Sequence, residues 1–193
     1  YTSQSESIST RYTVGMTICV FCGARDGTQA AFREAAGDFG TLLGKRGHGL
    51  IYGGGNIGLM GAVADAAIEA GAPTTGVIPK NLVAREIAHG GLDQLEMVGT
   101  MHERKARMHQ LSDAFVALPG GIGTLEELTE VISWQQLSLL SHPVGLLNVE
   151  DYWNPFVAML REMVKLGMAS DHVYTRLVIE KDADRLLDRL ESA

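Results

Sequence analysis

The sequence predicts an α/β fold, with a doubly wound, mostly parallel sheet and helices on both of its faces. Two features of the chain indicate this. Five short apolar runs have the near-continuous character of strands that are covered on both sides: 17–23, 49–54, 73–79, 113–120 and 143–149. Helical patterns separate these runs, and strands that alternate with helices favour a parallel sheet joined by right-handed crossovers.

Each helix is predicted from apolar residues at helical spacing and, in most cases, from a glycine near its end. The predicted helices span 29–46, 57–70, 101–111, 125–140, 152–167 and 183–191. No internal repeat or linker divides the sequence, so we expect residues 15–193 to form one domain. Residues 1–14 are polar, and we expect them to be a flexible N-terminal arm.

The composition of the chain argues against several classes of protein. The 193 residues carry a formal net charge of -7, which argues against a protein that coats nucleic acid. No apolar run approaches the roughly 18 residues that a membrane span needs, and the polar start lacks the apolar centre of a signal peptide. We therefore expect a cytoplasmic protein that binds neither membranes nor nucleic acid.

Cys19 and Cys22 have the C-x-x-C spacing of metal and redox sites. A strand would place the two side chains on opposite faces of the sheet, however, and no second C-x-x-C supplies further zinc ligands. Two buried core residues are the favoured interpretation. The sequence predicts no metal and no other cofactor.

Three glycine-rich turns follow predicted strands, at the edge of the sheet where doubly wound folds bind their ligands. One of them, Gly53 to Gly58, reads GGGNIG and matches the G-x-G-x-x-G pattern. It follows the second strand rather than the first, and no acid follows the next strand to bind ribose hydroxyls, so a dinucleotide site is disfavoured. Two interpretations remain open. The turn is either an amide nest in which Gly54 and Gly55 contact a phosphate, or a tightly packed strand-to-helix connection.

The turn PGGIGTLEE, at residues 119–127, is more specific. Its three glycines expose backbone amides immediately before a predicted helix. Thr124 and Glu127 have the spacing of a capping box, which predicts that Thr124 is the N-cap of that helix. Capping alone does not require three glycines. The turn therefore indicates a site that holds a polar substrate beside the Glu127 carboxylate.

The segment MHERKARMHQL, at residues 101–111, predicts a helix with Arg104 on the same face as two methionines. The charged end of an arginine on an apolar face must reach either the edge of the core or an anion in a pocket. Lys105 and Arg107 lie on other faces, where we expect solvent. Because this helix precedes the strand that carries the PGGIG turn, we expect Arg104 and Glu127 to share one edge of the sheet.

Three segments together carry a family resemblance: YGGGNIGLMGAVADA, MHERKARM and PGGIGTLEELTEVISWQQL. In these segments the chain resembles the LONELY GUY family of cytokinin riboside 5′-monophosphate phosphoribohydrolases, from about residue 16 to residue 190. The resemblance implies a Rossmann-like domain that forms homodimers and hydrolyses the N-glycosidic bond of an N6-modified AMP. The products would be the free base and ribose 5-phosphate.

The resemblance also implies roles for individual residues. The catalytic arginine of the family matches Arg104, and its catalytic glutamate matches Glu127. The matching substrate contacts are Glu86, Lys105, Gly121, Ile122, Gly123, Thr124, Leu125, Glu126 and Ser133. There is one departure. Relatives often have C-G-[SA]-S after the first strand, whereas this chain has CGARDG, which places Arg25 and Asp26 near the expected pocket.

The chemistry of these residues agrees with the resemblance. Breaking an N-glycosidic bond builds positive charge on the ribose, which a carboxylate such as Glu127 stabilises. The strongest alternative is a non-enzymatic carrier of a nucleotide or cofactor, because molybdenum cofactor carrier proteins have similar glycine turns. A pyridoxal-dependent lysine decarboxylase is a weaker alternative, since none of the lysines has a recognisable cofactor setting. For the homodimer, the helix at 125–140 is the candidate surface.

Overall fold

The computed structural model describes residues 15–83 and 87–193, and the predicted arm at 1–14 lies outside them. Within the described residues, the centre of the fold is a sheet of seven strands in which every neighbouring pair is parallel. The strands are β1 (Thr17–Phe21), β2 (Gly49–Tyr52), β3 (Thr74–Pro79), β4 (Gln94–Val98), β5 (Ala114–Ala117), β6 (Val144–Leu147) and β7 (Leu177–Glu180). Their order across the sheet is β4-β3-β2-β1-β5-β6-β7.

Helices cover both faces of this sheet. They are α1 (Ala30–Arg46), α2 (Gly58–Glu69), α3 (Met101–Gln110), α4 (Ile122–Gln136), α5 (Asn154–Lys165), α6 (His172–Thr175) and α7 (Ala183–Glu191). Helices α1, α2 and α7 pack on one face, and α3 to α6 pack on the other. Short 3-10 helices lie at Lys80–Leu82 and Val149–Asp151. The predicted doubly wound α/β fold is confirmed.

The five predicted strands correspond to β1, β2, β3, β5 and β6, whereas the two edge strands were not predicted. An edge strand is covered incompletely, so its sequence is not a continuous apolar run. In β4, for example, Leu95 is 37% exposed and Met97 is 60% exposed. β7 contributes only four residues, LVIE, of which the last two are partly exposed. Both strands therefore lack the signal by which the central ones were recognised.

The two cysteines lie where strand geometry predicts. Cys19 packs into the core beneath α3 and α4, and Cys22 packs into the core on the opposite face of the sheet. Both are buried free thiols. Their interpretation as core residues is confirmed. None of the helices within 15–83 and 87–193 is long and apolar enough to cross a membrane.

The order of the strands creates a crevice between β1 and β5. The chain leaves β1 towards α1 on one face and leaves β5 towards α4 on the other, so the two connections diverge. The two connections are still joined where they leave the sheet, since the amide of Gly23 donates a hydrogen bond to the carbonyl of Pro119 at 3.1 Å. The crevice therefore has a rigid floor made of two backbone segments.

Candidate active site

A cleft of about 680 Å³ opens at the carboxyl ends of β1 and β5, where the strand order reverses. Its volume is in the range of small-molecule sites in proteins. The lining residues are Cys22, Gly23, Ala24, Arg25, Asp26, Gly27, Phe32, Leu59, Met60, Leu82, Met101, Arg104, Pro119, Gly120, Gly121, Ile122, Gly123, Thr124, Glu126, Glu127 and Tyr152. The structure thus brings the PGGIG turn, the arginine of α3 and the glutamate of α4 to one cleft.

The three glycines of the turn after β5 have two different roles. A Cβ on Gly120 would lie 2.1 Å from the hydroxyl of Thr124 and 2.9 Å from the amide of Gly23, so the packing of the fold excludes a side chain there. Gly121 and Gly123 are exposed, and a Cβ on either would have no neighbour within 4 Å among the described residues. The fold does not require these two glycines. Both line the cleft, and their missing side chains leave space beside the amides at the start of α4.

The predicted capping box at Thr124 is wrong. Helix α4 begins at Ile122 and its N-cap is Gly121, so Thr124 and Glu127 both lie inside the helix. Thr124 is 3% exposed and packs against Gly120. Glycine is an acceptable N-cap and lets the helix begin three residues earlier than predicted. The Glu127 side chain is consequently not used as a capping group and lines the cleft.

Alanine at positions 120 and 123 is expected to separate the two roles of the glycines. Gly120→Ala should destabilise the fold by about 1–3 kcal/mol, because the added methyl overlaps Thr124 and the loop after β1. Gly123→Ala should leave stability unchanged or slightly higher, since alanine favours a helix, but should weaken ligand binding. Urea unfolding and substrate KM measured on both variants test this. Equal stability of the two variants would contradict it.

Arg104 lies in the first turns of α3 and is 5% exposed. Its side chain crosses the ends of two strands: Nε donates to the carbonyl of Val77 and Nη2 to that of Gly53, each at 3.0 Å. A Cβ on Gly53 would lie 1.9 Å from Nη2, so only glycine fits beside the guanidinium. Because β3 and the residue directly after β2 provide these carbonyls, the sheet fixes Arg104 at the wall of the cleft.

Glu127 projects from α4 and lines the cleft, half-buried. Its charge acts at the floor, where burial and then the Glu127 carboxylate raise the pKa of the Cys22 thiol well above its usual range. Burial and the same carboxylate also raise the pKa of Cys19. Both thiols are therefore neutral at neutral pH and are poor nucleophiles. The carboxylate, rather than a thiolate, is the group at this end of the cleft that can act on a substrate.

Lys105 was expected to face solvent, and this expectation is wrong. Lys105 is 8% exposed because α4 packs over that side of α3. Its Nζ lies 2.5 Å from Glu126 Oε1 and 3.1 Å from Glu130 Oε1. Burial alone would lower the pKa of Lys105, but the hydrogen bonds that its ammonium donates to the two carboxylates outweigh burial and raise that pKa. Arg107 is only partly exposed and is held by Glu96, with 2.7 Å between Nε and Oε2.

His109 lies beside this ion pair, buried between α3 and the sheet. Its ring is edge-on to Trp134, with 4.6 Å between centroids, and to Phe115, with 5.3 Å. Neither ring nitrogen has a hydrogen-bond partner among the residues that the structure describes, and Nε2 is 3.9 Å from a Glu130 oxygen. Burial lowers the pKa of His109 below its usual value. The ring is therefore neutral in the folded protein at neutral pH.

We expect this histidine to make the protein less stable in mild acid. The unfolded chain takes up a proton near pH 6.5, whereas the folded chain takes it up only at lower pH, so stability falls as pH drops below about 6.5. The fall ends once the pH is below the folded pKa. His109→Phe should remove this part of the pH dependence, and His102→Phe, an exposed histidine of the same helix, should retain it. Urea midpoints at about pH 7.5 and about pH 5.5 measure the difference.

The GGGNIG turn after β2 lies outside the lining of this cleft, and its contacts favour the packing interpretation. A Cβ on Gly76 would lie 2.6 Å from the Cα of Gly54, so these two backbones require glycine at close approach. Gly54 has a φ of +77° and accepts a hydrogen bond from the amide of His89. Gly55 forms an isolated antiparallel bridge with Ala88. A phosphate contact from Gly54 or Gly55 stays a prediction.

The remaining predicted contacts are not gathered at the cleft. Leu125 is half-buried against the core beneath α4, and Ser133 is exposed further along the same helix; neither lines the cleft. Lys105 is also outside the lining and reaches it only through Glu126. Glu86 lies outside the described residues. Their roles as substrate contacts stay predictions.

An aromatic wall was missed in the sequence. Tyr152 and Phe32 line the cleft edge to face, with 5.5 Å between ring centroids. The Tyr152 hydroxyl donates to the carbonyl of Gly120, which ties the segment after β6 to the PGGIG turn. The two residues directly before Tyr152 adopt positive φ values, 49° at Glu150 and 59° at Asp151. No sequence motif predicts this aromatic wall, because it depends on positive φ values, which residues other than glycine rarely adopt.

Fold and site together define a Rossmann-like α/β protein with a small-molecule cleft at the switch point of its sheet. A family model described as "Possible lysine decarboxylase" matches residues 60–190. Cytokinin riboside 5′-monophosphate phosphoribohydrolase LOG1 of Arabidopsis thaliana is 46% identical over 174 residues, which cover 90% of this chain and 82% of that protein. Its counterpart LOG of Oryza sativa subsp. japonica is 44% identical over 174 residues, 90% of this chain and 72% of that protein.

This chain therefore belongs to the family of the cytokinin riboside 5′-monophosphate phosphoribohydrolases. Solved structures support the fold. The molybdenum cofactor carrier protein MCP of Chlamydomonas reinhardtii is similar with a TM-score of 0.69 and 20% identity, over 92% of this chain and 99% of that one. The molybdenum cofactor binding protein of Rippkaea orientalis is similar with a TM-score of 0.68 and 21% identity, over 92% and 96% of the two chains.

Proposed function

We propose that this protein is a phosphoribohydrolase that cleaves the N-glycosidic bond of an N6-modified AMP with water. The products are the free base and ribose 5-phosphate. One observation carries the proposal. Gly121 and Gly123 leave open space beside exposed amides, and Glu127 and Arg104 line the same cleft. This combination suits a substrate with both an anionic group and a bond that cleaves through a cationic transition state.

The start of α4 is the proposed phosphate end of the site. The first amides of a helix have no partner within the helix, and the helix dipole adds partial positive charge there. Gly121, Ile122 and Gly123 are exposed at this start, so a phosphate can approach the amides closely. Glu127 lies further along the same helix. A nucleotide that places its phosphate on the first turn would therefore extend its ribose towards the glutamate.

Glu127 is the proposed catalytic carboxylate. As the bond between C1′ and the base nitrogen breaks, its electron pair leaves with the base and positive charge builds on the ribose. A carboxylate stabilises this charge and accepts a proton from the attacking water, whose oxygen bonds to C1′. The base receives a proton in exchange.

Arg104 is proposed as the second catalytic residue. The carbonyls of Val77 and Gly53 fix its guanidinium, so it is preorganised rather than recruited by the substrate. A fixed cation in the cleft can stabilise negative charge that develops on the departing base. Its position beside Met101, at 3.8 Å from the sulfur, places an apolar surface next to it for the base.

The cleft does not suit the lysine chemistry that the name of the family model suggests. A pyridoxal-dependent decarboxylase needs a lysine that can form a Schiff base with its cofactor. The chain has lysines at positions 45, 80, 105, 165 and 181, all among the described residues, and none lines the cleft. Lys105 is the nearest to a lining residue, and two carboxylates keep it protonated. A protonated lysine is not a nucleophile.

The substrate class is tested by chromatography of the products. Purified protein is incubated with N6-isopentenyladenosine 5′-monophosphate, with AMP and with the unphosphorylated riboside. We expect free base from the N6-modified monophosphate and little or none from the riboside, and the AMP reaction measures what the N6 group contributes. Tight binding of the nucleotides without any product would contradict the proposal and favour a carrier.

We also propose that the protein is a homodimer, with the outer side of α4 and the turn after it as the interface. Leu137 is 66% exposed and Leu139 is 70% exposed, which is unusual for neighbouring leucines of a monomer. Light scattering after size exclusion should give twice the mass of one chain. The paired substitution Leu137→Glu with Leu139→Glu should give the mass of one chain. A monomeric wild type would contradict this proposal.

A further inference from the structure

Five charged side chains line the cleft: Arg25, Asp26, Arg104, Glu126 and Glu127. Two of the carboxylates are paired with cations outside the cleft. The Asp26 carboxylate lies 2.6 Å from Nη1 of Arg33, and Glu126 lies 2.5 Å from Nζ of Lys105. Arg33 and Lys105 are therefore already paired with carboxylates of the protein. Neither is available to neutralise a dianionic ligand without breaking an ion pair.

The two arginines of the cleft differ in whether other groups of the protein already bind their side chains. Arg104 is buried, and its guanidinium already donates to two backbone carbonyls. Arg25 is exposed, and its side chain makes no hydrogen bond or ion pair with any other residue in 15–83 or 87–193. A cation that lines a cleft and has no protein partner there is placed to bind an anion from outside.

The backbone that carries Arg25 is held between the starts of two helices. A Cβ on Gly58, at the first position of α2, would lie 2.3 Å from the amide nitrogen of Arg25, so the two segments are in close contact. On the other side, Gly23 contacts Pro119, two residues before the N-cap of α4. The side chain of Arg25 is long, and its starting point beside both helix starts is fixed.

We infer that Arg25 binds the 5′-phosphate and determines the preference for the nucleotide over the nucleoside. The inference rests on the function proposed above. A phosphate monoester carries about two negative charges near pH 7, more than helix amides neutralise alone, and a guanidinium binds it through two parallel hydrogen bonds. The sequence CGARDG supplies this cation in the loop directly after β1. Arg25 is thus a specificity residue rather than a catalytic one.

The test compares Arg25→Ala and Arg25→Lys with Arg185→Ala, which removes an exposed arginine of α7 far from the cleft. Steady-state kinetics are measured with the N6-modified monophosphate and with its riboside, and binding of ribose 5-phosphate is measured by calorimetry. For Arg25→Ala we expect kcat/KM for the monophosphate to fall by about 10- to 100-fold, mainly through KM. The low activity on the riboside should not change. Arg25→Lys should recover part of the loss, and Arg185→Ala should behave as wild type.

The binding arm separates this inference from the proposed reaction. If the wild type hydrolyses no nucleotide but loses ribose 5-phosphate binding on Arg25→Ala, the reaction is wrong and the phosphate role of Arg25 is supported. If the wild type hydrolyses the monophosphate and Arg25→Ala leaves KM and ribose 5-phosphate binding unchanged, the inference is overturned and the reaction stands. Equal losses for the monophosphate and the riboside would also overturn it, because they would indicate a general effect on the site.

Discussion

Replacing Glu127 with glutamine is expected to lower turnover of the N6-modified nucleotide by about 100- to 10,000-fold while the fold stays intact. Glutamine has the size of glutamate but carries no charge and cannot accept a proton from water. Because Glu127 lies in the helix and is not a cap, its substitution should not weaken the start of α4. Product release measured by chromatography gives turnover, and thermal unfolding gives stability.

A matched control is available on another helix. Glu69 is an exposed glutamate at the end of α2, and Glu69→Gln should change neither turnover nor stability. KM for the Glu127 variant should stay near the wild-type value, since the carboxylate acts on the transition state more than on the bound substrate. Near-normal turnover of Glu127→Gln would remove this residue from the mechanism.

Arg104→Ala is expected to have the second largest effect, and it should affect both stability and activity. The substitution leaves the carbonyls of Val77 and Gly53 without their buried donor and opens a cavity at the end of the sheet. Each unsatisfied buried group costs about 1–3 kcal/mol, so we expect a loss of about 2–4 kcal/mol in the free energy of unfolding. Turnover should fall by about 100-fold or more, because a preorganised cation is lost. Urea unfolding and product analysis measure the two effects.

Arg107→Ala is the control on the same helix. Arg107 is partly exposed and pairs with Glu96, and such surface pairs contribute little to stability. Its loss should leave turnover unchanged. Arg104→Lys adds a second comparison, since lysine retains the charge but cannot reach both carbonyls as a planar guanidinium does. Full activity in Arg104→Ala would show that the residue is structural only.

Comparison of two similar sequence patterns shows what local rules could not decide. Both Thr100–Glu103 and Thr124–Glu127 have the T-x-x-E spacing of a capping box. In the structure Thr100 is the N-cap of α3, and its hydroxyl accepts a hydrogen bond from the amide of Glu103 at 3.1 Å. At Thr124 the helix has already begun, because Gly121 serves as its N-cap, and the threonine packs into the fold instead. The choice depends on tertiary contacts with Gly120, which the spacing of residues does not encode.

The surroundings of Lys105 were only partly predictable. Helical spacing places it four residues after Met101 and three before Met108, at the border of the apolar face, but it does not show what covers that border. In the fold, α4 lies beside it and supplies two carboxylates. By contrast, the positions of Arg104 and of the PGGIG turn were predictable, because both follow from parallel strands whose carboxyl ends meet at one edge. The aromatic wall at Tyr152 could not be predicted, because it depends on an unusual turn.

The central claim is that Glu127 directs water to the N-glycosidic bond of a nucleoside monophosphate. The most direct test quantifies both products from N6-isopentenyladenosine 5′-monophosphate for the wild type and for Glu127→Gln at equal protein concentration. We predict free base and ribose 5-phosphate in equal amounts from the wild type, and almost none of either from the variant. An intact substrate after incubation with folded wild type, or equal product from the two proteins, would contradict the account.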